Sequence, residues 1–302
     1  MLLPEKVVGD LRASGSLWDA GPGLVGLRGP VMDLLREIES ELEAVARLET
    51  ESEWRTPAGV SFETLERAQY FASFPQWLTT ASHLSGDERV LSGIASSPTP
   101  GVAARSALGK PETVLPPAVC YHTYAALAGS VLEAPLTMSA AATCWRHEGD
   151  RLAALERGWA FTMREIVCLG SERDVRGLLD RGVSLAESLA YKFGLEVRLE
   201  VASDPFFAPT SRGRAALQRI KGLKHELVLR FPDGRSLAVA SFNDHERFFG
   251  EAFDITLPSG DHAASGCVAF GIERWLLAVL ATHGTSASDW PTPSTFFGAV
   301  LR

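Results

Sequence analysis

Two apolar segments, residues 132 to 147 and 157 to 169, stand one loop apart in the middle of the chain, each punctuated by charges. Runs of that length and spacing are predicted to be antiparallel strands, so the fold has to be built around a long hairpin. KHELVLRF and RSLAVASF flank Pro232-Asp233-Gly234, turn chemistry that suits a second hairpin. LEVRLEVAS reads as a further strand, and CVAFGIERWLLAVLATHG as a strand or bend entering a helix that stops at Gly284. Between these lie helices. Pro30 opens a stripe of Val31, Leu34, Leu35, Ile38, Leu42 and Val45, predicting an amphipathic helix over 31 to 48. Ser171 followed by Asp174 looks like a helix-opening cap, with apolar spacing that runs to about Phe193. ESEWRTPAGVS, with Pro57 inside it, reads as an edge or interface strand, and residues 85 to 118, rich in Gly, Ser and Pro, read as irregular. The expectation is an α+β chain, an antiparallel sheet flanked by helices, forming a single domain over 1 to 302 with residues 1 to 30 as a lead-in.

A chain of 302 residues with 46% hydrophobic content can bury one large core or two smaller ones. Its 29 basic and 37 acidic side chains leave a net charge of -8, which excludes a long-range positive field for nucleic acid or anionic membrane. The opening MLLPEKVVGDLRASG has no apolar run for a signal peptide or a spanning helix, so the protein is expected in the cytoplasm. Four widely separated cysteines are not a disulfide scaffold; they are expected as reduced thiols that pack or bind metal.

The central hairpin, CWRHEGDRLAALERGWAFTMREIVCLG, concentrates chemistry. Strand alternation puts Arg146 and Glu148 on one face, while Arg157, Phe161 and Glu165, each four apart, share the face of the partner strand. A guanidinium forks onto phosphate oxygens, a carboxylate accepts from an adenine amino group, and a ring stacks on a purine. The set therefore suits a nucleoside triphosphate. Charges alone leave a solvated hairpin with surface ion pairs as the common alternative.

CWRHEG followed by ERGWAFTMREI resembles motif 2 of class II aminoacyl-tRNA synthetases, and SGCVAFGIERW resembles motif 3. ASDPFF, GLKHELVLRF and VASFNDHERFF resemble the intervening stretch of seryl-tRNA synthetases, above all the atypical methanogen type. The resemblance spans roughly residues 50 to 285. It implies that Arg146 grips the α-phosphate of ATP, Glu148 contacts adenine, Phe161 stacks on it, Arg274 holds the γ-phosphate, and Arg157 reaches the triphosphate from the loop. Magnesium is expected with the ATP. The strand SLAVAS lacks the acid that seryl enzymes use there for metal and nucleotide, which leaves the magnesium ligands open.

Cys120, Glu165 and Cys267 are too scattered for any spacing rule, and by themselves both cysteines read as buried thiols. The resemblance implies otherwise, because the atypical seryl enzymes hold an active-site zinc through a Cys, a motif 2 Glu and a Cys just before the motif 3 helix. Two thiolates and a carboxylate leave a fourth tetrahedral place for the substrate's amino group. Glu165 thus also counts as a substrate residue. Cys144 and Cys168 have no such match and are expected in the core.

Only about fifty residues precede the homologous core, fewer than the extra tRNA-binding domain of the atypical seryl enzymes needs. The chain is most similar to the amino acid:[carrier protein] ligases, truncated homologues that load an amino acid onto a phosphopantetheine thiol. The resemblance implies a small amino acid, glycine favoured over alanine, as substrate, and a phosphopantetheinylated carrier protein, not tRNA, as acceptor. A minimal seryl-tRNA synthetase and a catalytically inactive regulatory paralogue remain the alternatives. A homodimer through residues 31 to 60 is expected, as in class II cores, and Arg173, Arg176 and Arg181 in RDVRGLLDR are a candidate docking patch for the carrier.

Overall fold

The computed structural model describes residues 1–50, 52–207 and 212–291. The chain opens with α1 (Pro4–Ala13), the hairpin β1 (Leu17–Gly21) and β2 (Leu24–Leu27), α2 (Val31–Glu49) and the short β3 (Ser52–Glu53). Next come α3 (Phe62–Arg67), α4 (Tyr70–Ser73), β4 (Thr80–Ala81), α5 (Glu88–Ala95), α6 (Pro100–Ser106), β5 (Thr113–Val114) and α7 (Cys120–Ala126). β6 (Leu136–Trp145) and β7 (Ala160–Gly170) form the central hairpin, followed by α8 (Glu172–Lys192), β8 (Val197–Val201) and α9 (Arg212–Lys221). The C-terminal part is β9 (Lys224–Arg230), β10 (Ser236–Asp244), α10 (Phe248–Phe253), β11 (Ala264–Gly271) and α11 (Ile272–His283).

The main sheet orders its seven strands β3-β6-β7-β11-β10-β9-β8. All neighbours are antiparallel except β3, which runs parallel to β6, so the sheet is mixed and not antiparallel throughout. Alternation along β7 sends Ile166 and Cys168 to one core, and Met163, Val167 and Leu169 to the other. The first core lies under α2, α8 and α11. On α2 the buried residues Val31, Leu34, Ile38, Leu42 and Val45 repeat every three or four positions, matching the apolar stripe. Arg164, 7% exposed, ties the sheet to this helix and the edge strand through Glu43 at 3.8 Å and Glu53 at 3.2 Å.

Ser171 and Asp174 form a reciprocal capping box that starts α8. Gly182 lets that helix approach the sheet, because a Cβ there would stand 2.6 Å from Val268. α11 is buried almost all round, and full burial of Trp275, Leu276, Leu277 and Leu280 stabilises the fold by about 2 kcal/mol each. Trp275 meets its polar need by donating to the Val239 carbonyl at 2.9 Å.

Two local expectations change. The edge strand covers only Ser52–Glu53, and Pro57 lies beyond it in a loop, because proline has no N–H for the ladder. Residues 85 to 118 hold the short helices α5 and α6, which bury no residue and are obscured in the sequence by the Gly, Ser and Pro around them. Residues 1 to 30 form a helix and a hairpin, with α1 burying Val7, Val8 and Leu11. Cys144 and Cys168 are core residues, as expected, and all four cysteines are free. Among the described residues no helix is long and apolar enough to cross a membrane.

Candidate active site

The face of the sheet opposite α2 and α8 carries a cleft lined by all eight residues singled out in the sequence. Phe161 and Glu165 reach it by β7 alternation. Arg146 and Glu148 do so for another reason: both lie past the end of β6, in a loop where the Arg146 amide donates to the Trp159 carbonyl at 2.9 Å. Arg157 lies before β7, in a tight bridge with Ala153 whose two hydrogen bonds are 2.8 and 2.9 Å long. Strand alternation therefore does not account for the three charged members of the loop.

The Arg146 guanidinium lies over the rings of Phe161 and Trp77, 5.3 and 5.7 Å from their centres, and its Nε donates to the Pro117 carbonyl at 2.8 Å. Arg157 pairs with Glu148 at 2.5 Å. Arg274, from the first turn of α11, is pinned by donating to the Glu156 carbonyl at 2.8 Å and the Ala238 carbonyl at 3.2 Å. Burial, with Arg157 and Arg146 nearby, lowers the pKa of the Arg274 guanidinium. Fixed cations that repel each other in a cleft form a preorganised site for a polyanion.

At the other end of the cleft the Sγ atoms of Cys120 and Cys267 and a carboxylate oxygen of Glu165 all lie within 4.8 Å of one another, all three residues buried. Burial pushes the Glu165 carboxyl up to about 7, with the charge of Cys267 adding to it and the Val119 amide opposing. A hydrogen bond from Cys120, helped by His245 and Asn243, holds the Cys267 thiol well below its ordinary range, while the same bond and burial push Cys120 up. Two soft sulfurs and one oxygen in this grouping fit a zinc ion, whose charge would outweigh the penalty that burial places on the ionised donors.

The cleft also holds residues that sequence reasoning missed. Asp204, Lys224 and Glu226 form a chain of ion pairs, Lys224 meeting Asp204 at 2.5 Å and Glu226 at 3.3 Å. Glu226 on β9 stands opposite Ser241 on β10, so the acid absent from SLAVAS is present on the adjoining strand. KHELVLRF contains that Glu at alternating spacing with Lys224; the signal was there but had no partner in view. His245 hydrogen-bonds the Tyr124 hydroxyl through Nδ1 at 3.1 Å.

A mixed seven-stranded sheet of this order, flanked by helices and carrying this cleft, is the fold of a class II aminoacyl-tRNA synthetase catalytic core. The seryl-tRNA synthetase of M. kandleri, solved with A. aeolicus tRNASec, superposes with a TM-score of 0.85 over 97% of this chain, at 23% identity, and this chain spans 60% of its length. A prolyl-tRNA synthetase from Giardia lamblia, solved with prolyl-adenylate, gives 0.69 over 93% of this chain and 53% of its own, at 14% identity. No protein-family profile matches the chain.

Among curated proteins, amino acid--[acyl-carrier-protein] ligase 1 of Bradyrhizobium diazoefficiens is 36% identical over 240 residues, 78% of this chain and 73% of that protein. Ligase 2 of the same organism is 34% identical over 273 residues, 89% and 81% of the two chains. The type-2 serine--tRNA ligase of Methanocaldococcus jannaschii is 32% identical over 199 residues, and there the match covers only 37% of the relative. The chain belongs to the amino acid--[acyl-carrier-protein] ligase family.

Proposed function

We propose that this chain activates a small amino acid, glycine before alanine, as its adenylate and passes it to the phosphopantetheine thiol of a carrier protein. One observation carries the reading: the three arginines and Phe161 share a single cleft with the Cys120, Glu165 and Cys267 triad. In the first step a carboxylate oxygen of the amino acid attacks the α-phosphorus, the bond to the bridging oxygen breaks, and diphosphate leaves. Arg146 stabilises the charge on the α-phosphate, Arg274 and Arg157 hold the outer phosphates, Phe161 stacks on adenine and Glu148 accepts from its amino group. In the second the carrier's thiol sulfur attacks the carbonyl carbon and AMP departs.

Cys120, Glu165 and Cys267 would hold zinc, and zinc supplies a Lewis-acid place for a free α-amine. Glu226, a carboxylate of the cleft on the strand beside SLAVAS, would help hold magnesium with the ATP. The family name, the identities to the two Bradyrhizobium ligases, and the net charge of -8 all favour a carrier over tRNA. A cytoplasmic setting belongs to the same reading, since the reaction consumes ATP and the cysteines are free.

The docking face follows from access to the cleft. Arg173, Arg176 and Arg181 line a separate groove with Glu172, Asp174 and Asp180 among them, and Arg181 is paired with Glu49. α9 reads RGRAALQRIK, with Lys221 paired to Glu246 and Arg214 bonded to Gln69 and Ser73, and Gln218 on it bonds Asp204 at the cleft. Leu217 is 50% and Ile220 83% exposed on this helix, so a basic and apolar surface stands beside the cleft for an acidic carrier. A two-fold dimer through α2 and β3 is part of the proposal, and light scattering at micromolar concentration reads it.

Pyrophosphate exchange with glycine, alanine and serine in turn tests the first step. Exchange with glycine or alanine is expected; exchange with serine alone would favour the minimal seryl-tRNA synthetase, and none at all the inactive paralogue.

A further inference from the structure

Tyr70 opens the one-turn helix α4 inside the cleft, is 2% exposed, and its hydroxyl has no hydrogen-bond partner among the described residues. An orphaned buried hydroxyl forfeits its bond to water without return, so a protein that keeps one in a ligand cleft gains from it only when a ligand arrives. The backbone holding it is also strained. Gln69, immediately before it, sits in the left-handed region at φ 52° and ψ 28°, which a residue with a Cβ adopts only where its surroundings enforce it.

Arg214 of α9 donates to the Gln69 side-chain oxygen at 3.2 Å and to the Ser73 hydroxyl at 3.3 Å, bracketing α4 at both ends. The Ser73 carbonyl accepts from the Phe207 amide at 2.8 Å. The ring itself packs edge-on against Tyr121, at 5.8 Å, and is tilted on Phe74 at 5.7 Å. Tyr121 follows the triad residue Cys120, and of the surrounding charges Arg146 acts most strongly on the Tyr70 hydroxyl. Tyr70 therefore lines the same cleft as Arg146 and the Cys120, Glu165 and Cys267 triad, where on the adenylate reading the aminoacyl group has to lie.

We propose that the Tyr70 hydroxyl donates a hydrogen bond to the aminoacyl group, first to the carboxylate of the bound amino acid and then to the carbonyl oxygen of its adenylate. The inference rests on the adenylate reading above. Burial pushes the phenol up to about 12, so it stays a neutral donor at any working pH. The bond would also strengthen as that oxygen gains charge during attack by the thiol.

The test compares the full chain with Tyr70→Phe, which keeps the ring and its packing, by titration calorimetry with the 5′-O-sulfamoyl analogues of glycyl- and alanyl-adenosine and with AMP. The expected result is a loss of about 10-fold or more for the tighter analogue, the usual worth of one buried hydrogen bond, with AMP changed less than about 2-fold. Thermal stability should not fall, since no partner is lost. Equal affinities for the analogue in the two proteins, or equal losses for analogue and AMP, would overturn the assignment. Should the unaltered protein bind neither analogue better than AMP, the adenylate reading fails and takes this inference with it.

Discussion

The Cys120 main-chain amide donates to the Glu165 carboxylate at 3.2 Å while the Cys120 thiol groups with that carboxylate and the Cys267 thiol within 4.8 Å, in the triad proposed to hold zinc. Val119 adds a second amide at 2.9 Å to the other carboxylate oxygen, so the turn that starts α7 holds the carboxylate in place beside the two sulfurs. Such outer support is how proteins fix a ligand's geometry. Zinc content follows: about one ion per chain by metal analysis in the parent, and a loss of most of it in Cys267→Ala and in Cys120→Ala. Full retention in either variant would remove that residue from the ligand set.

Arg146→Ala and Arg274→Ala should each reduce pyrophosphate exchange by about 100-fold or more while leaving the fold intact, the scale set by removing one preorganised donor from developing charge. Among the described residues the guanidinium of Arg274 hydrogen-bonds to carbonyls, so its removal frees the Glu156 and Ala238 oxygens to water. Exchange at the parent rate in either variant would contradict the assigned role.

Asp204 and Lys224 offer a stability test with a defined sign. Lys224 and a hydrogen bond from Gln218 outweigh burial and hold the Asp204 carboxyl below its ordinary value of 3.8. A depressed carboxylate stabilises the fold above its unfolded pKa and loses that contribution as pH falls through the folded one. Breaking a buried pair costs several kcal/mol, and the partial water access of Asp204 trims this to about 2 kcal/mol for Asp204→Asn at neutral pH. Denaturant unfolding should show that gap closing below about pH 4. A gap that widens on acidification would be wrong for this pair.

Much of this was legible because β7 keeps strict alternation: with Phe161 on one face, Glu165 has to share it, and the capping pair Ser171 and Asp174 announces the next helix. Other parts were hidden for physical reasons. Arg146, Glu148 and Arg157 owe their direction to a loop closed by backbone bonds, which no period records. Tyr70 depends on a left-handed Gln69, a conformation no side chain advertises, and α5 and α6 bury nothing from which to read a face. The ion pair of Asp204 with Lys224 joins segments twenty residues apart, visible only once β9 is folded beside them.

The α9 surface makes a separable prediction. Ile220→Glu, at a side chain 83% exposed, should leave exchange unchanged and slow transfer to the carrier by about 10-fold, as for one apolar anchor of an interface. Unchanged transfer would move the docking face elsewhere.

The acceptor is the central claim, and one incubation addresses it: the enzyme with ATP and labelled glycine, offered either total tRNA or a holo-carrier protein from the same genome, with the apo-carrier as control. The account predicts label on the holo-carrier, released by hydroxylamine as a thioester should be, and none on the apo-carrier or on tRNA. Label on tRNA, with none on any holo-carrier, would contradict it.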